Sequence, residues 1–408
     1  MTDHTADPAR TAGEPAAGPR SPLLIRVSGR DRPRLTADLL RLVAEAGAQV
    51  EDMEQLVVRE RLTLDVLVRL DGADEALVRD VLFWGFTHGL AVDFEQVERR
   101  SQRANLRRHA ITVLGERLGP AVLAAVADAV AGTGGNIDRI VRLATDPVTA
   151  YDLVVIAGDV ERMRRALVEV AGEHGCDIAV QVNGLERRAK RLVVMDVDST
   201  LITDEVIELL ADEAGCRDRV RAITDRAMAG ELDFTDSLTE RVALLAGLDE
   251  DAIERVRRRI RLTPGARTFV RTLQRLGFAV GVVSGGFTPF TDALAAELGL
   301  DHAYANRLEV VDGRLTGRVV GRVVDRARKA ELLAEIAAAE GVPLTQTVAV
   351  GDGANDLDML AAAGLGIAFN AKPVVRRQAD TTVSVPYLDA ILFMLGIRGA
   401  DVDRSDEG

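Results

Sequence analysis

Length, composition and charge place the chain among globular proteins with more than one domain. Its 408 residues are 47% hydrophobic and 28% charged, which is enough for two or three separate cores. The formal net charge of −13 argues against nucleic acid or an anionic membrane surface as a partner, and no apolar run is long enough to span a bilayer. Two cysteines, Cys176 and Cys216, are too few for a disulfide framework, so we expect a cytoplasmic protein.

The N-terminal half contains an internal repeat. Residues 1–22 are polar and lack a hydrophobic signal core, which predicts a disordered tail. Residues 23–100 then follow the order strand, helix, strand, strand, helix, strand, and residues 106–183 repeat it about 86–87 residues later, with "AGAQVEDM" at Ala46 matching "TGGNIDRI" at Thr133. Each copy predicts a ferredoxin-like α+β domain, in which an antiparallel sheet has two helices on one face.

Both copies resemble the ACT domain, a small-molecule sensor that often binds amino acids. In the first copy "SGRDRP" corresponds to the Gly-x-Asp loop of that family, but Arg34 stands where a glycine is usual after the proline. The second copy, "LGERLGP", lacks the aspartate. The resemblance implies an amino acid effector and a homodimer formed by sheets that pair edge to edge. A purely structural or dimerising module is the alternative.

The C-terminal half changes character after the charged connector "NGLERRAKR", which begins at Asn183. We expect a separate domain over residues 184–400. Its short apolar runs, rich in β-branched residues, alternate with helical stretches, which predicts a parallel sheet with helices on both faces. In such sheets ligands bind at the carboxyl ends of the strands.

Polar residues follow three of these predicted strands. The first strand leads into "DVDST" at Asp196, the second into Ser284-Gly285-Gly286, and the third into "GDGAND" at Gly351. Lys329 precedes the third strand, on a predicted helix. Carboxylates at a strand end suit Mg²⁺, which prefers hard oxygen ligands, and the ammonium, hydroxyl and glycine amides suit a phosphate group. The set predicts phosphoryl transfer.

These four motifs, in this order over residues 191–395, resemble the haloacid dehalogenase (HAD) superfamily of phosphotransferases. Longer stretches, among them "DVDSTLITDEVIELLA", "AMAGELDFTDSLTERVALL" and "VAVGDGANDLDMLAAAGLGIAFNAKP", resemble the phosphoserine phosphatase family within it. The resemblance implies an α/β, HAD-like Rossmannoid parallel sheet with a small helical cap at about residues 203–263, preceded by the two ACT-like domains. It also implies Mg²⁺-dependent hydrolysis of L-phosphoserine to L-serine and phosphate, the last step of serine biosynthesis.

By this resemblance, two aspartates perform the chemistry. Asp196 is the nucleophile that forms an aspartyl-phosphate. Asp198 protonates the departing serine oxygen and then activates the hydrolytic water. Mg²⁺ is held by the side chains of Asp196 and Asp352 and by the backbone carbonyl of Asp198.

The resemblance also assigns the residues that bind the substrate. Ser284, the Gly285 amide and Lys329 hold the phosphate, while Asn355 and Asp356 bind phosphate or orient the metal ligands. In the cap, Glu205 binds the substrate ammonium and Arg241 its carboxylate. Met228 and Phe234 wall the pocket. Lys372 either screens the charge of the site or caps a loop.

Two other functions remain open from the sequence. The first is a HAD phosphotransferase that acts on a related phospho-amino acid or passes the phosphoryl group to an alcohol such as homoserine. The second is an amino-acid-sensing regulatory protein with a vestigial catalytic half. The complete set of Asp196, Asp198, Ser284, Lys329 and Asp352 argues against the second.

Overall fold

The computed structural model describes residues 21–70, 75–97, 107–156, 158–184, 187, 189–228, 231–379 and 381–403. The predicted tail at residues 1–22 lies outside the described residues except for its last two positions. The chain divides into two compact units, Met1–Asn105 and Leu106–Gly408.

The first unit is a four-stranded antiparallel sheet with two helices on one face. Its elements are β1 (Leu23–Arg30), α1 (Leu35–Glu45), β2 (Gln49–Val58), β3 (Arg61–Arg69), α2 (Glu75–His88) and β4 (Ala91–Gln96), and the strands lie in the order β2-β3-β1-β4. Alternate residues of β1 and β3, such as Ile25 and Leu64, pack against Leu39 and Val43 of α1 because side chains alternate across a strand. The predicted ferredoxin-like order is confirmed.

The second unit begins with a sheet of the same design. Its elements are β5 (Arg108–Gly115), α3 (Pro120–Gly132), β6 (Asn136–Ala144), β7 (Thr149–Ile156), α4 (Val160–His174) and β8 (Asp177–Val182), in the order β6-β7-β5-β8. One face packs on α3 and α4. Residues of the other face, such as Leu114 and Ala179, belong to the large core of the following parallel sheet. Both faces of the central strand β5 are therefore covered, which explains its nearly continuous burial.

The rest of the second unit is a seven-stranded sheet. Its strands are β9 (Leu192–Met195), β10 (Ala279–Phe287), β11 (His302–Val311), β12 (Arg314–Val320), β13 (Thr347–Gly351), β14 (Gly366–Phe369) and β15 (Thr381–Val383), in the order β12-β11-β10-β9-β13-β14-β15. The predicted parallel sheet is confirmed for six strands. The edge strand β12 is antiparallel, because Asp312 and Gly313, both with positive φ, form a tight hairpin after β11.

Helices cover both faces of this sheet and form a separate layer above its carboxyl end. The flanking helices are α9 (Ala266–Arg275), α10 (Thr288–Leu298), α11 (Arg326–Ala339), α12 (Leu357–Ala362), α13 (Pro373–Arg376) and α14 (Ile391–Met394). Between β9 and α9 the chain forms α5 (Val206–Glu213), α6 (Arg217–Met228), α7 (Phe234–Ala243) and α8 (Asp251–Arg257), the mostly helical segment expected as the cap. None of the helices in the described ranges is long and apolar enough to cross a membrane.

Polar contacts join the sheet of β5–β8 to the parallel sheet within the second unit. The buried carboxylate of Asp177 accepts hydrogen bonds from the hydroxyls of Thr382 and Ser384 and from the Ser384 amide, at 2.7–3.1 Å. Gln181 donates to the carbonyl of Met394 at 2.9 Å. Because apolar residues surround these bonds, the repeat and the following α/β layers form one packed body.

Candidate active site

Asp196 is buried immediately after the central strand β9. The following residues, Val197–Leu201, make a wide turn in which Asp198 and Ser199 leave the helical conformation and Ser199 has a left-handed backbone with φ 57°. The Asp196 carboxylate accepts the Val197 amide at 2.7 Å, and the Asp196 amide donates to the carbonyl of Val350 on β13 at 2.9 Å. This tight turn brings the carboxyl end of β9 and the whole first motif to one place.

Lys329 supplies a buried positive charge to Asp196. It lies on α11, is fully buried, and its Nζ is 2.9 Å from Asp196 Oδ1 and 2.7 Å from Asp356 Oδ1. Burial alone would lower the pKa of Lys329, but the two carboxylates raise it above its ordinary value. The lysine is therefore charged, and it lies where it can also neutralise a phosphate oxygen.

Three carboxylates gather beside this lysine. Ligand atoms of Asp196, Asp352 and Asp356 lie within 4.8 Å of one another. Burial raises the pKa of Asp196 well above its usual range, and Asp356 adds to the effect while Lys329 opposes it. Burial and the neighbouring Asp356 raise the pKa of Asp352 to about 7. One ammonium cannot balance three carboxylates, so the donor set fits a hard divalent cation.

The position of Asp356 depends on a close backbone approach. Its Oδ2 accepts the Gly353 amide at 2.9 Å. A side chain at Gly351 would overlap the Asp356 Cβ at 2.6 Å, so only glycine fits at the end of β13. Thr200, from the first motif, donates to Asp352 at 3.1 Å and ties the two strand ends together.

Asp198 lies beside Asp196 but is held by different groups. Its Oδ1 accepts the Val206 amide at 2.8 Å, at the start of α5, and the Ser284 hydroxyl lies 3.4 Å from its Oδ2. Burial and the negative charge of Glu205 raise its pKa to about 7. A carboxyl group with this pKa can both give and take a proton near neutral pH.

The second motif forms a turn at the end of β10. The Ser284 hydroxyl accepts the Gly286 amide at 2.8 Å. Asn306, buried on β11, donates to the Gly285 carbonyl at 2.8 Å and accepts the Val324 amide at 2.8 Å. A side chain at Gly285 would contact the Phe234 ring at 2.9 Å, so the glycine allows α7 to approach the turn.

The helical layer brings two charged groups toward the strand ends. Glu205 accepts the Ser199 hydroxyl at 2.8 Å. Arg241 is half-buried on α7, and its Nε donates to the Ser237 carbonyl at 3.2 Å. Burial lowers the pKa of Arg241, while the negative charges of Glu205 and Asp198 oppose that effect. Glu205 and Arg241 are therefore both close enough to Asp198 to interact with it electrostatically.

Some of the predicted residues are less closely tied to this cluster. Asn355 is half-buried in the loop before α12, and Lys372 is exposed just before α13. The Met228 side chain lies outside the described part of the chain. The sequence did not single out Asn306 or Thr200 for a role. A polar residue within the apolar alternation "HAYANRLEVV" of β11 was the available indication for Asn306.

This geometry defines a class of protein, and comparison with known proteins agrees. Residues 193–361 match the haloacid dehalogenase-like hydrolase family, and residues 21–95 and 107–181 each match the ACT domain. A crystal structure of a HAD family hydrolase from Salmonella enterica aligns with a TM-score of 0.62 at 29% identity, over 70% of this chain and 98% of the other. The protein is thus a HAD-type hydrolase with two ACT domains.

Relatives that match nearly the whole chain identify the family within this class of hydrolases. The chain is 54% identical to a phosphoserine phosphatase of Streptomyces coelicolor, over 94% of each chain. It is 50% identical to a phosphoserine phosphatase of Mycobacterium tuberculosis, over 95% of this chain and 96% of the relative. A crystal structure of a probable phosphoserine phosphatase from Vibrio cholerae aligns with a TM-score of 0.56 at 36% identity, over 70% of this chain and 86% of that one. The chain belongs to the phosphoserine phosphatase family.

Proposed function

We propose that this protein hydrolyses L-phosphoserine to L-serine and inorganic phosphate. The observation that supports it most directly is the buried contact of Asp196 with Lys329, with Asp198 and Asp352 beside it. A carboxylate held next to a buried cation can attack phosphorus while the cation offsets the phosphate charge. Membership of the phosphoserine phosphatase family supports the substrate.

The first half of the reaction transfers the phosphoryl group to Asp196. An Asp196 oxygen forms a bond to phosphorus as the bond between phosphorus and the serine oxygen breaks. Asp198, with its pKa raised to about 7, is protonated often enough to give its proton to the departing oxygen. Serine leaves, and the aspartyl-phosphate remains.

The second half releases phosphate. Asp198 is now ionised and takes a proton from a water molecule, which attacks phosphorus and breaks its bond to Asp196. Lys329, with Ser284 and the Gly285 amide, holds the phosphate oxygens in both halves. Asp356 supports this arrangement, because it accepts from Lys329 at 2.7 Å, and the family resemblance assigns Asn355 to the phosphate or the metal ligands. These roles rest on geometry and on family resemblance.

We propose Mg²⁺ as the cofactor. The three carboxylates of Asp196, Asp352 and Asp356 fit a hard cation, and burial together with mutual repulsion raises the pKa of Asp196 and Asp352. When bound, the metal polarises the phosphoryl group and offsets the repulsion between carboxylates. In our assignment Asp196 and Asp352 hold it through their side chains and Asp198 through its carbonyl.

The substrate is selected by the segment at about residues 203–263, which we propose as a cap. Glu205 would pair with the substrate ammonium and Arg241 with its carboxylate. Phe234 approaches Gly285 closely and would exclude water from the phosphate. Lys372 is exposed, and we assign it no contact with substrate.

A phosphate-release assay tests the proposal. The purified full chain is incubated with L-phosphoserine, with Mg²⁺ or with EDTA, and we expect phosphate only with Mg²⁺. Asp196→Asn should abolish release while the far-UV circular dichroism spectrum is kept. An active Asp196→Asn enzyme would contradict the assigned nucleophile. Product analysis with homoserine present distinguishes hydrolysis from transfer, because a phosphotransferase would form phosphohomoserine.

We further propose that the protein is a cytoplasmic, feedback-regulated homodimer that acts at the end of serine biosynthesis. The two ACT domains support an amino acid effector, and the buried free thiols of Cys176 and Cys216 suit a reducing compartment. The edge strand β2 is exposed along its whole length, with Leu56 60% exposed, and so offers a pairing surface. Calorimetry with serine tests the amino acid effector, and light scattering tests the homodimer.

A further inference from the structure

Ser237 has a buried hydroxyl that the proposed mechanism does not use. The residue is 1% exposed on α7, and its Oγ has no hydrogen-bond partner among the described residues. Serine and threonine hydroxyls inside helices commonly donate to the carbonyl four residues earlier. Thr239 on the same helix does so, with 2.8 Å to the Thr235 carbonyl. Ser237 makes no such bond, which leaves its hydroxyl available to another acceptor.

The position of Ser237 on α7 places it with the proposed substrate groups. Residues three and four apart lie on one face of a helix, so Phe234, Ser237 and Arg241 form a stripe. Phe234 approaches the phosphate-binding turn at Gly285. The Nε of Arg241 donates a hydrogen bond to the Ser237 carbonyl at 3.2 Å, so the arginine side chain lies against the Ser237 backbone. Leu238 and Val242, on the neighbouring stripe, belong to the apolar core.

A buried hydroxyl without a partner makes the folded protein less stable than an alanine of similar shape would. The Ser237 hydroxyl therefore does not stabilise the folded protein when no ligand is bound. A ligand that supplies an acceptor beside Arg241 would recover the lost hydrogen bond. Arg241 also fits an anionic acceptor. Its Nε donates to the Ser237 carbonyl, and no hydrogen bond from its two terminal nitrogens is seen among the described residues, so they can bind a carboxylate.

We propose that Ser237 is a specificity-determining residue that donates its hydroxyl to the carboxylate of the bound amino acid phosphate, next to Arg241. The proposal rests on the function proposed above, in which Arg241 binds that carboxylate. Ser237 then takes no part in breaking the phosphate bond. Its hydrogen bond distinguishes a substrate with an α-carboxylate from a phosphorylated amino alcohol without one.

The test compares L-phosphoserine with O-phosphoethanolamine, which has the phosphate and the ammonium but lacks the carboxylate. For Ser237→Ala we expect KM for L-phosphoserine to rise about tenfold with little change in kcat, because a hydrogen bond to a charged group acts equally in ground and transition states. The values for O-phosphoethanolamine should not change. The inhibition constant of the product L-serine should rise by a similar factor.

Controls separate a binding role from a structural one. Ser237→Ala should unfold at the same temperature as wild type or slightly above it. Thr239→Ala, on the exposed side of the same helix, should leave both substrates unaffected. The ratio of kcat/KM for the two substrates does not depend on the fraction of active enzyme, so it is valid even for a poorly folding variant.

Two results would overturn the inference while leaving the proposed function intact. One is an unchanged KM for L-phosphoserine in Ser237→Ala, and the other is an equal loss on both substrates. Failure of the proposed function would look different, because the wild-type protein would then release no phosphate from L-phosphoserine under any condition.

Discussion

Replacing Lys329 by methionine removes the buried ammonium that lies between Asp196 and Asp356. Methionine has a similar length and no charge, so packing changes little. The Nζ atom is 2.9 Å from one carboxylate and 2.7 Å from the other. We expect Lys329→Met to destabilise the protein and to abolish most of its activity.

The distances give the size of the effect. At an effective dielectric constant of about 20, each contact corresponds to an attraction of about 6 kcal/mol, from which the desolvation of the buried ions must be subtracted. Removing one partner of a buried ion pair typically costs about 3–5 kcal/mol, because the remaining charge is left uncompensated. We therefore expect the free energy of unfolding to fall by about 3–5 kcal/mol. The loss should become smaller at lower pH, because protonated carboxyl groups need no counter-charge.

Urea unfolding followed by circular dichroism, in EDTA, measures this loss without a contribution from bound metal. The matched control is Arg221→Met, which removes an exposed cation of the same unit and should change stability by less than about 0.5 kcal/mol. Activity with L-phosphoserine should fall about a hundredfold or more in Lys329→Met. A stability within about 1 kcal/mol of wild type would refute the view that Lys329 balances the buried carboxylates.

Three further predictions concern other parts of the chain. Arg34 has φ 81°, so Arg34→Gly should stabilise the first unit by about 1 kcal/mol, as followed by the fluorescence of Trp84, the single tryptophan. Asp177→Ala leaves the donors of Thr382 and Ser384 without an acceptor and should cost about 1–3 kcal/mol in urea unfolding. Saturating Mg²⁺, at about 100 times its dissociation constant, should stabilise the protein by about 2.7 kcal/mol, as measured by thermal unfolding.

For Arg34, alanine should give no comparable gain, and a gain equal to that of glycine would exclude backbone strain as the cause. Burial raises the pKa of Asp177, so its contribution to stability is full at low pH and is lost as pH rises through that pKa. The deficit of Asp177→Ala should therefore narrow with rising pH, and a widening deficit would contradict this. For Mg²⁺, Asp352→Asn should weaken the response.

Local patterns were sufficient for the element order of the two repeats and for the parallel class of the third sheet. In the first repeat, β1 shows the period-two alternation of buried and less buried residues by itself. In the second, β5 is buried almost throughout, and its apolar run is what predicts a strand. The first motif was equally visible, because two carboxylates after an apolar strand are expensive unless they bind something. The hairpin that reverses β12 was missed although Asp312 and Gly313 form a common turn sequence, since neighbouring helices favoured a wholly parallel sheet.

The sequence by itself determined the fold class, the family and the residue types that meet at the strand ends, because these depend on short stretches with a fixed period or spacing. Tertiary structure decided which groups are partners. Lys329 pairs with Asp356 across 27 residues of chain, and β5 of the second repeat is buried on both faces while alternate residues of β1 in the first are only partly buried. The burial of the Ser237 hydroxyl without a hydrogen-bond partner among the described residues also depends on the tertiary structure. Side-chain burial and the choice of hydrogen-bond or ion-pair partners depend on which surfaces pack together. A local sequence pattern does not show which other element will cover a given strand or helix.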